Sequence, residues 1–122
     1  MRIAIPVENN DISSGVCVSF GRAPYFLIYD TETKMNQIIA NNAASSQGGA
    51  GIKAAQIVAD QDIQALLTPR CGENAAEVIR AAQITIYKTA GASVMDNINA
   101  FVEDRLPVLT EIHAGFHGRG DR

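Results

Sequence analysis

The stretch Phe20-Gly21-Arg22-Ala23-Pro24-Tyr25-Phe26-Leu27-Ile28-Tyr29-Asp30 decides how the chain is read. A glycine and a proline bracket one arginine, and an apolar strand follows at once. Proline fixes its own φ and biases the residue before it towards extended backbone. Gly21 can adopt angles closed to other residues. The turn therefore places Arg22 at the edge of a sheet, in a site and not in a linker.

On the N-terminal side of this stretch, residues 2–7 are mostly apolar, as a buried strand should be, and residues 8–16 form a polar loop. The apolar run itself gives a second strand over 24–30. Asp30-Thr31-Glu32-Thr33-Lys34 is turn material, and Met35–Ala40 returns as a third strand, completing a meander. On the C-terminal side the pattern changes. Residues 41–51 are small, polar and glycine-rich. A helix over 52–60 carries Ile52, Ala55, Val58 and Ala59 at helical spacing. A fourth strand follows over 63–68, then the tight loop Pro69–Gly72. The second helix, 73–82, has Ala75, Val78, Ile79 and Ala82 on one face, and a fifth strand covers 84–88. Ser93, with Asp96 three residues on, has the spacing of a capping box. It opens a third helix with Val94, Ile98, Phe101 and Val102 as its stripe. Residues 106–112 read as a weak extended segment. Residues 114–122 read as a flexible tail from their glycine and charge content, which leaves one domain over 1–113.

This βββαβαβα order is an α/β arrangement. Right-handed crossovers and a shared sheet put the first strand in the middle of a five-stranded mixed sheet, order 3-2-1-4-5. Ligands in such sheets bind beyond the carboxyl ends of the strands at the switch point, here between strands 1 and 4. That end collects Cys17, Ser19 and Arg22, the loop Gly48-Gly49-Ala50-Gly51, the segment Arg70-Cys71-Gly72, and Ser93. Three helix N-termini and two arginines there would favour an anion. Taken singly the signals are ordinary. The glycine loop matches neither a Walker nor a dinucleotide fingerprint and reads by itself as a flexible helix start. Cys71, just before a helix N-terminus, has either a lowered thiol pKa or the role of a small buried filler, and Cys17 has the same two readings. Arg22 has the alternative of pairing with a carboxylate. His113 and His117 sit four apart, but Gly115 between them speaks against a helical metal pair.

The bulk numbers set limits. A chain of 122 residues with 47% hydrophobic and 19% charged content is one ordinary globular domain. A formal net charge of −3 argues against an electrostatic nucleic-acid binder. No apolar run approaches the ~20 residues needed to cross a bilayer, and the N-terminus does not read as a signal peptide, so a cytoplasmic setting is the expectation. The two cysteines form no CxxC pattern and are read as free thiols.

With these pieces together, residues 1–105 resemble the dinitrogenase iron–molybdenum cofactor biosynthesis family, the small NifX/NifB-type accessory domain. The resemblance is carried by Met1-Arg2-Ile3-Ala4-Ile5-Pro6, Phe20-Gly21-Arg22-Ala23-Pro24-Tyr25-Phe26, Gly48-Gly49-Ala50-Gly51, Cys71-Gly72-Glu73-Asn74-Ala75, and Gly91 with Ser93-Val94. It implies a ribonuclease-H-like three-layer fold. It also implies non-enzymatic binding or carriage of a metal–sulfur cluster, iron–molybdenum or molybdenum–copper, or of its precursor, with cluster donor or acceptor proteins as partners. A related member type, the orange protein, carries a molybdenum–copper sulfide cluster. Cargo-binding candidates are Cys17, Ser19, Arg22, Gly48, Gly49, Gly51, Arg70, Cys71 and Gly72, with Cys71 and Cys17 as the metal-ligand candidates. The chain departs from the family at one point. Many relatives carry histidine immediately before Phe-Gly-Arg; this chain carries Ser19, and a hydroxyl is a poor ligand for a soft metal.

Two other functions compete with this reading. A metal-dependent nuclease needs carboxylates gathered on the central strand, and the first strand offers none before Glu8, so catalysis is not expected. A small-anion or nucleotide-binding module, or a protein-interaction domain without cargo, would bind without using Cys17 or Cys71.

Overall fold

The structure, a computed structural model, describes residues 1–110 and 112. The expected tail over 114–122, together with His113 and His117, lies outside the described residues.

The elements run β1 (Arg2–Val7), β2 (Tyr25–Asp30), β3 (Asn36–Ala40), α1 (Ala50–Ala59), β4 (Ala65–Thr68), α2 (Glu73–Ala81), β5 (Thr85–Lys88) and α3 (Val94–Val102). The sheet order is β3-β2-β1-β4-β5, with β1–β2 and β2–β3 antiparallel and β1–β4 and β4–β5 parallel. The α/β class and the 3-2-1-4-5 order are those read from the sequence.

β1 is the middle strand, paired with β2 on one side and β4 on the other, and Ile3 to Val7 are all buried. Side chains alternate across a strand, so β1 feeds two cores. Ala4 joins Phe26, Ile28, Leu66 and Ile86 beneath Ala54, Ala55 and Val58 of α1 and Ala76 and Ile79 of α2. Ile3, Ile5 and Val7 join Leu27, Tyr29 and Leu67 beneath Val94 and Ile98 of α3. The molecule is therefore three layers, with two helices on one face of the sheet and one on the other. Removing a large side chain from the sheet's middle, such as fully buried Leu66, would cost about 2–5 kcal/mol through lost burial and the cavity left behind.

Several local expectations shift. α1 starts at Ala50, two residues early, because Gly49 sits in the left-handed region (φ 68°) and turns the chain directly into the helix. Ile52 is consequently in the first turn and exposed. In α2, Ala76 is buried and Ala82 is exposed beyond the helix end. In α3, Val102 is 59% exposed, and Asn97 occupies the buried stripe instead. Phe101 packs edge-on against Tyr87, ring centroids 5.1 Å apart. Of the expected extended segment, residues 107–109 run along the outer edge of β5. The Lys88 N–H donates to the Pro107 carbonyl and the Leu109 N–H to the Ile86 carbonyl, both at 2.8 Å.

One feature of the topology moves the site. β1 and β4 pair only at Ile3–Ala65 and Ala4–Leu66. Beyond that point the 8–16 loop folds back. Val16 bridges Val7, and the Cys17 N–H donates to the Pro6 carbonyl at 2.8 Å. The gap between β1 and β4 is thus filled by the chain itself.

Candidate functional site

The carboxyl end of the sheet opens instead on the α1/α2 face. A cleft of about 680 Å³ lies there, walled by the 18–22 turn, the 47–52 loop and helix start, and the 70–75 loop and helix start. Of the expected site residues, Ser19, Arg22, Gly48, Gly49, Gly51, Arg70, Cys71 and Gly72 all line it. Cys17 does not; it is buried behind the turn. The N-terminus of α3 does not either. It lies under the opposite face, where Ser93 bridges Gly15. Two helix N-termini, not three, meet at the cleft.

The first wall is built by hydrogen bonds to backbone. Ser19 Oγ accepts from the Arg22 N–H at 3.3 Å, closing the turn. Phe20 anchors it from below against Phe26, ring centroids 5.3 Å apart. Gly21 is required for a packing reason. A Cβ placed there would lie 3.0 Å from the Gly51 Cα and 3.1 Å from its nitrogen, so any larger residue would push the turn away from the first turn of α1. Among the described residues, no carboxylate forms an ion pair with the Arg22 guanidinium. Nη1 donates to the carbonyls of Ala44 and Ser46, at 2.8 and 2.6 Å, tying the turn to the loop after β3.

The second and third walls are helix starts without side-chain caps. Gly49 and Gly72 are the N-cap residues of α1 and α2, and neither supplies a capping oxygen. The first N–H groups of a helix have no partner within it and carry a partial positive charge. Among the described residues, Arg22 and Arg70 are the only charged side chains in the lining, and both are exposed. Glu73, also exposed, opens α2 but is not part of the lining. The cleft is electropositive although the chain as a whole carries −3.

The thiols behave differently from the expectation of a lowered pKa. Cys71 is only 1% exposed. Burial pushes its thiol up to about 11, with the Arg80 charge pulling weakly the other way. Burial also raises Cys17; a backbone hydrogen bond from Ser19 opposes this and the Glu8 carboxylate adds to it. Both cysteines are free and protonated at neutral pH. Among the described residues, no group of three or more His, Cys, Asp or Glu is placed to hold a metal ion.

Asn41 is a site-building residue that the sequence pattern did not single out. It is 5% exposed. Its Nδ2 donates to the carbonyls of Gly21 and Ala23, and its Oδ1 accepts from the Ala43 N–H. The pair Asn41-Asn42 after a strand is a turn signal, but nothing local says that its amide reaches across to residues 21 and 23. No helix among the described residues is long and apolar enough to cross a membrane.

Comparison with known proteins finds relatives that share the fold. A curated relative, an uncharacterized protein of Methanocaldococcus jannaschii, is 31% identical over 109 residues, covering 87% of this chain and 89% of its own. Among solved structures, the apo form of the orange protein from Desulfovibrio gigas superposes with a TM-score of 0.85 at 29% identity, covering 89% of this chain and 92% of its own. A protein from Thermotoga assigned provisionally to NifB superposes at 0.80 with 37% identity, covering 98% of both chains. The family described as dinitrogenase iron-molybdenum cofactor matches residues 1–104. This match spans most of the chain, and the chain belongs to the dinitrogenase iron-molybdenum cofactor family.

Proposed function

We propose that the protein binds and carries a preassembled, anionic metal–sulfur cluster, or a precursor of one, in the cleft between the Arg22 turn and the starts of α1 and α2, and that it catalyses no reaction on it. The observation that carries this reading is the composition of the lining. Among the described residues its only charges are two arginines, it is bordered by two uncapped helix N-termini, and it includes no carboxylate or histidine. A bare cation meets no carboxylate among the described lining residues to offset its charge. A multiply charged anion meets N–H donors and guanidinium groups. Iron–molybdenum and molybdenum–copper sulfide clusters are both soft anions of this kind. The cleft's volume of about 680 Å³ leaves room for more than a single tetrahedral ion.

Cys71 is the one thiol in the lining. Coordination deprotonates a thiol outright, so Cys71 as a ligand would release a proton on loading. Without it, the cargo is held by hydrogen bonds and charge alone, which suits a carrier that must let go. A cytoplasmic protein of this kind would exchange cargo with cluster donor and acceptor proteins.

The buried, protonated state of both thiols favours a second reading, a small-anion site that works without sulfur ligation. Anaerobic titration of the reduced protein with tetrathiomolybdate, with and without copper or iron, separates the two. Saturable charge-transfer bands that stay with the protein through gel filtration are the expected result. If no colour is retained under any metal combination, and inorganic phosphate binds instead, the cluster reading fails.

A further inference from the structure

We infer that Asn41 is a positioning residue of the cleft. Its side-chain amide fixes the backbone on both sides of Arg22, so that the guanidinium stands in place before any anion arrives. The inference rests on the anion-binding reading above and adds to it the residue that sets the binding geometry.

The bond pattern distinguishes this role from that of an ordinary turn residue. An Asn that only closed its own turn would need Oδ1, which accepts from the Ala43 N–H at 3.1 Å. Here both Nδ2 hydrogens are also used, one on the Gly21 carbonyl at 3.1 Å and one on the Ala23 carbonyl at 2.8 Å. These carbonyls belong to the residues immediately before and after Arg22. The Asn41 N–H donates to the Pro24 carbonyl at 3.0 Å, so main chain and side chain together hold residues 21–24. The link then returns. Arg22 Nη1 donates to the carbonyls of Ala44 and Ser46, on the loop that Asn41 begins.

The two segments thus close a ring, from Asn41 to the flanks of Arg22 and from Arg22 back to the loop. Among the described residues Arg22 Nε and Nη2 have no partner, and they remain available where the residue lines the cleft. Arginine loses much rotamer freedom when it is immobilised. A guanidinium already immobilised by the fold does not lose that freedom again on binding, and this raises affinity. Lysine could not substitute, because one ammonium cannot seat on two carbonyls and present a planar fork at the same time.

The test has a ligand-free arm and a binding arm. In the first, nitrogen NMR of the Arg22 side chain should show separate Nη signals from slowed rotation in the wild type, collapsing to the averaged signal of a free arginine in Asn41→Ala. Unchanged separation in the variant overturns the inference. In the second, tetrathiomolybdate affinity is measured for the wild type, Asn41→Ala, Arg22→Ala and the double variant. Each single change should weaken binding by about tenfold, the scale of one charge-assisted hydrogen bond. The double variant should bind no more weakly than Arg22→Ala. A full further loss in the double variant would show that Asn41 acts elsewhere and overturn the inference. Asn41→Ser, which keeps a short acceptor for Ala43 but cannot span both carbonyls, takes the same measurements if Asn41→Ala does not fold. If the wild type retains no tetrathiomolybdate, the cargo reading fails, and the NMR arm alone decides whether Asn41 holds Arg22.

Discussion

The helix starts at the carboxyl end of this sheet are finished in two ways. α3 is closed. Ser93 Oγ accepts from the Asp96 N–H at 3.1 Å, and the preceding loop is stitched to Gly15 and Val16. α1 and α2 are open, with glycine at both N-caps and no capping oxygen. Each region also has a buried asparagine using both ends of its amide. Asn97, 1% exposed, accepts from the Ala90 N–H and donates to the carbonyls of Gly91 and Ser93, sealing the α3 loop onto its own helix. Asn41 makes the equivalent set of bonds, but to a different segment, and so holds a turn open beside a cleft. Similar chemistry closes one helix start and builds a site at the others. The difference lies in where the donors end: in the α3 region within the protein, in the α1/α2 region at a cavity with two arginines.

The largest effect expected from disturbing this contrast comes from Gly21→Val. Its side chain would meet the backbone of Gly51, which cannot rotate away, so the turn and α1 must separate. A loss of about 3 kcal/mol in urea unfolding is expected, and a midpoint equal to wild type would show that the contact is dispensable.

Cys71 gives an effect of similar size, confined to alkaline pH. Its thiol is raised from 9.0 to about 11 in the folded protein. Between those values the unfolded chain has lost the proton and the folded one keeps it. The stability this group contributes is therefore present below pH 9.0 and is lost as pH rises towards about 11, at up to about 1.4 kcal/mol per pH unit. Cys71→Ala should flatten that part of the stability profile relative to wild type; identical slopes would mean that the thiol is more solvated than its burial indicates.

The smallest effects sharpen the comparison most. Ser93→Ala removes the α3 cap and should cost about 1 kcal/mol while leaving tetrathiomolybdate affinity unchanged. Gly72→Ser does the reverse. Gly72 already has the extended backbone of an N-cap, φ −74° and ψ 161°, so a hydroxyl there can cap α2. Stability should rise by a few tenths of a kcal/mol, and cargo affinity should fall, because the hydroxyl competes for the same N–H groups. If Ser93→Ala weakens binding, or Gly72→Ser does not, the open and closed helix starts do not divide function between them.

Most of the fold is legible along the chain. Strand and helix periodicities are local properties, and the order βββαβαβα with right-handed crossovers leaves few sheets to build. The third helix's Ser93–Asp96 cap is legible for the same reason, since both partners lie within one turn. The candidate site is half legible. The Gly21-Arg22-Ala23-Pro24 turn, the glycine loop and Cys71-Gly72 are visible as residue types beyond strand ends. Their meeting as the lining of one cleft depends on which face each helix covers. Counting α3 among the site's helix starts failed for this reason: the chain order puts its N-terminus at the right end of the sheet, and only the packing of Val94 and Ile98 puts it beneath the other face.

The sequence by itself determined the elements, their order in the sheet and the family, because these follow from local pattern and from motifs read in place. Tertiary structure alone decided that residues 15–17 fill the gap between β1 and β4, that Asn41 grips the Arg22 turn from 18 and 20 residues away, and that burial keeps the Cys71 thiol protonated. Hydrogen bonds between distant segments and the removal of water around a side chain are properties of the assembled fold, and no window of sequence contains them.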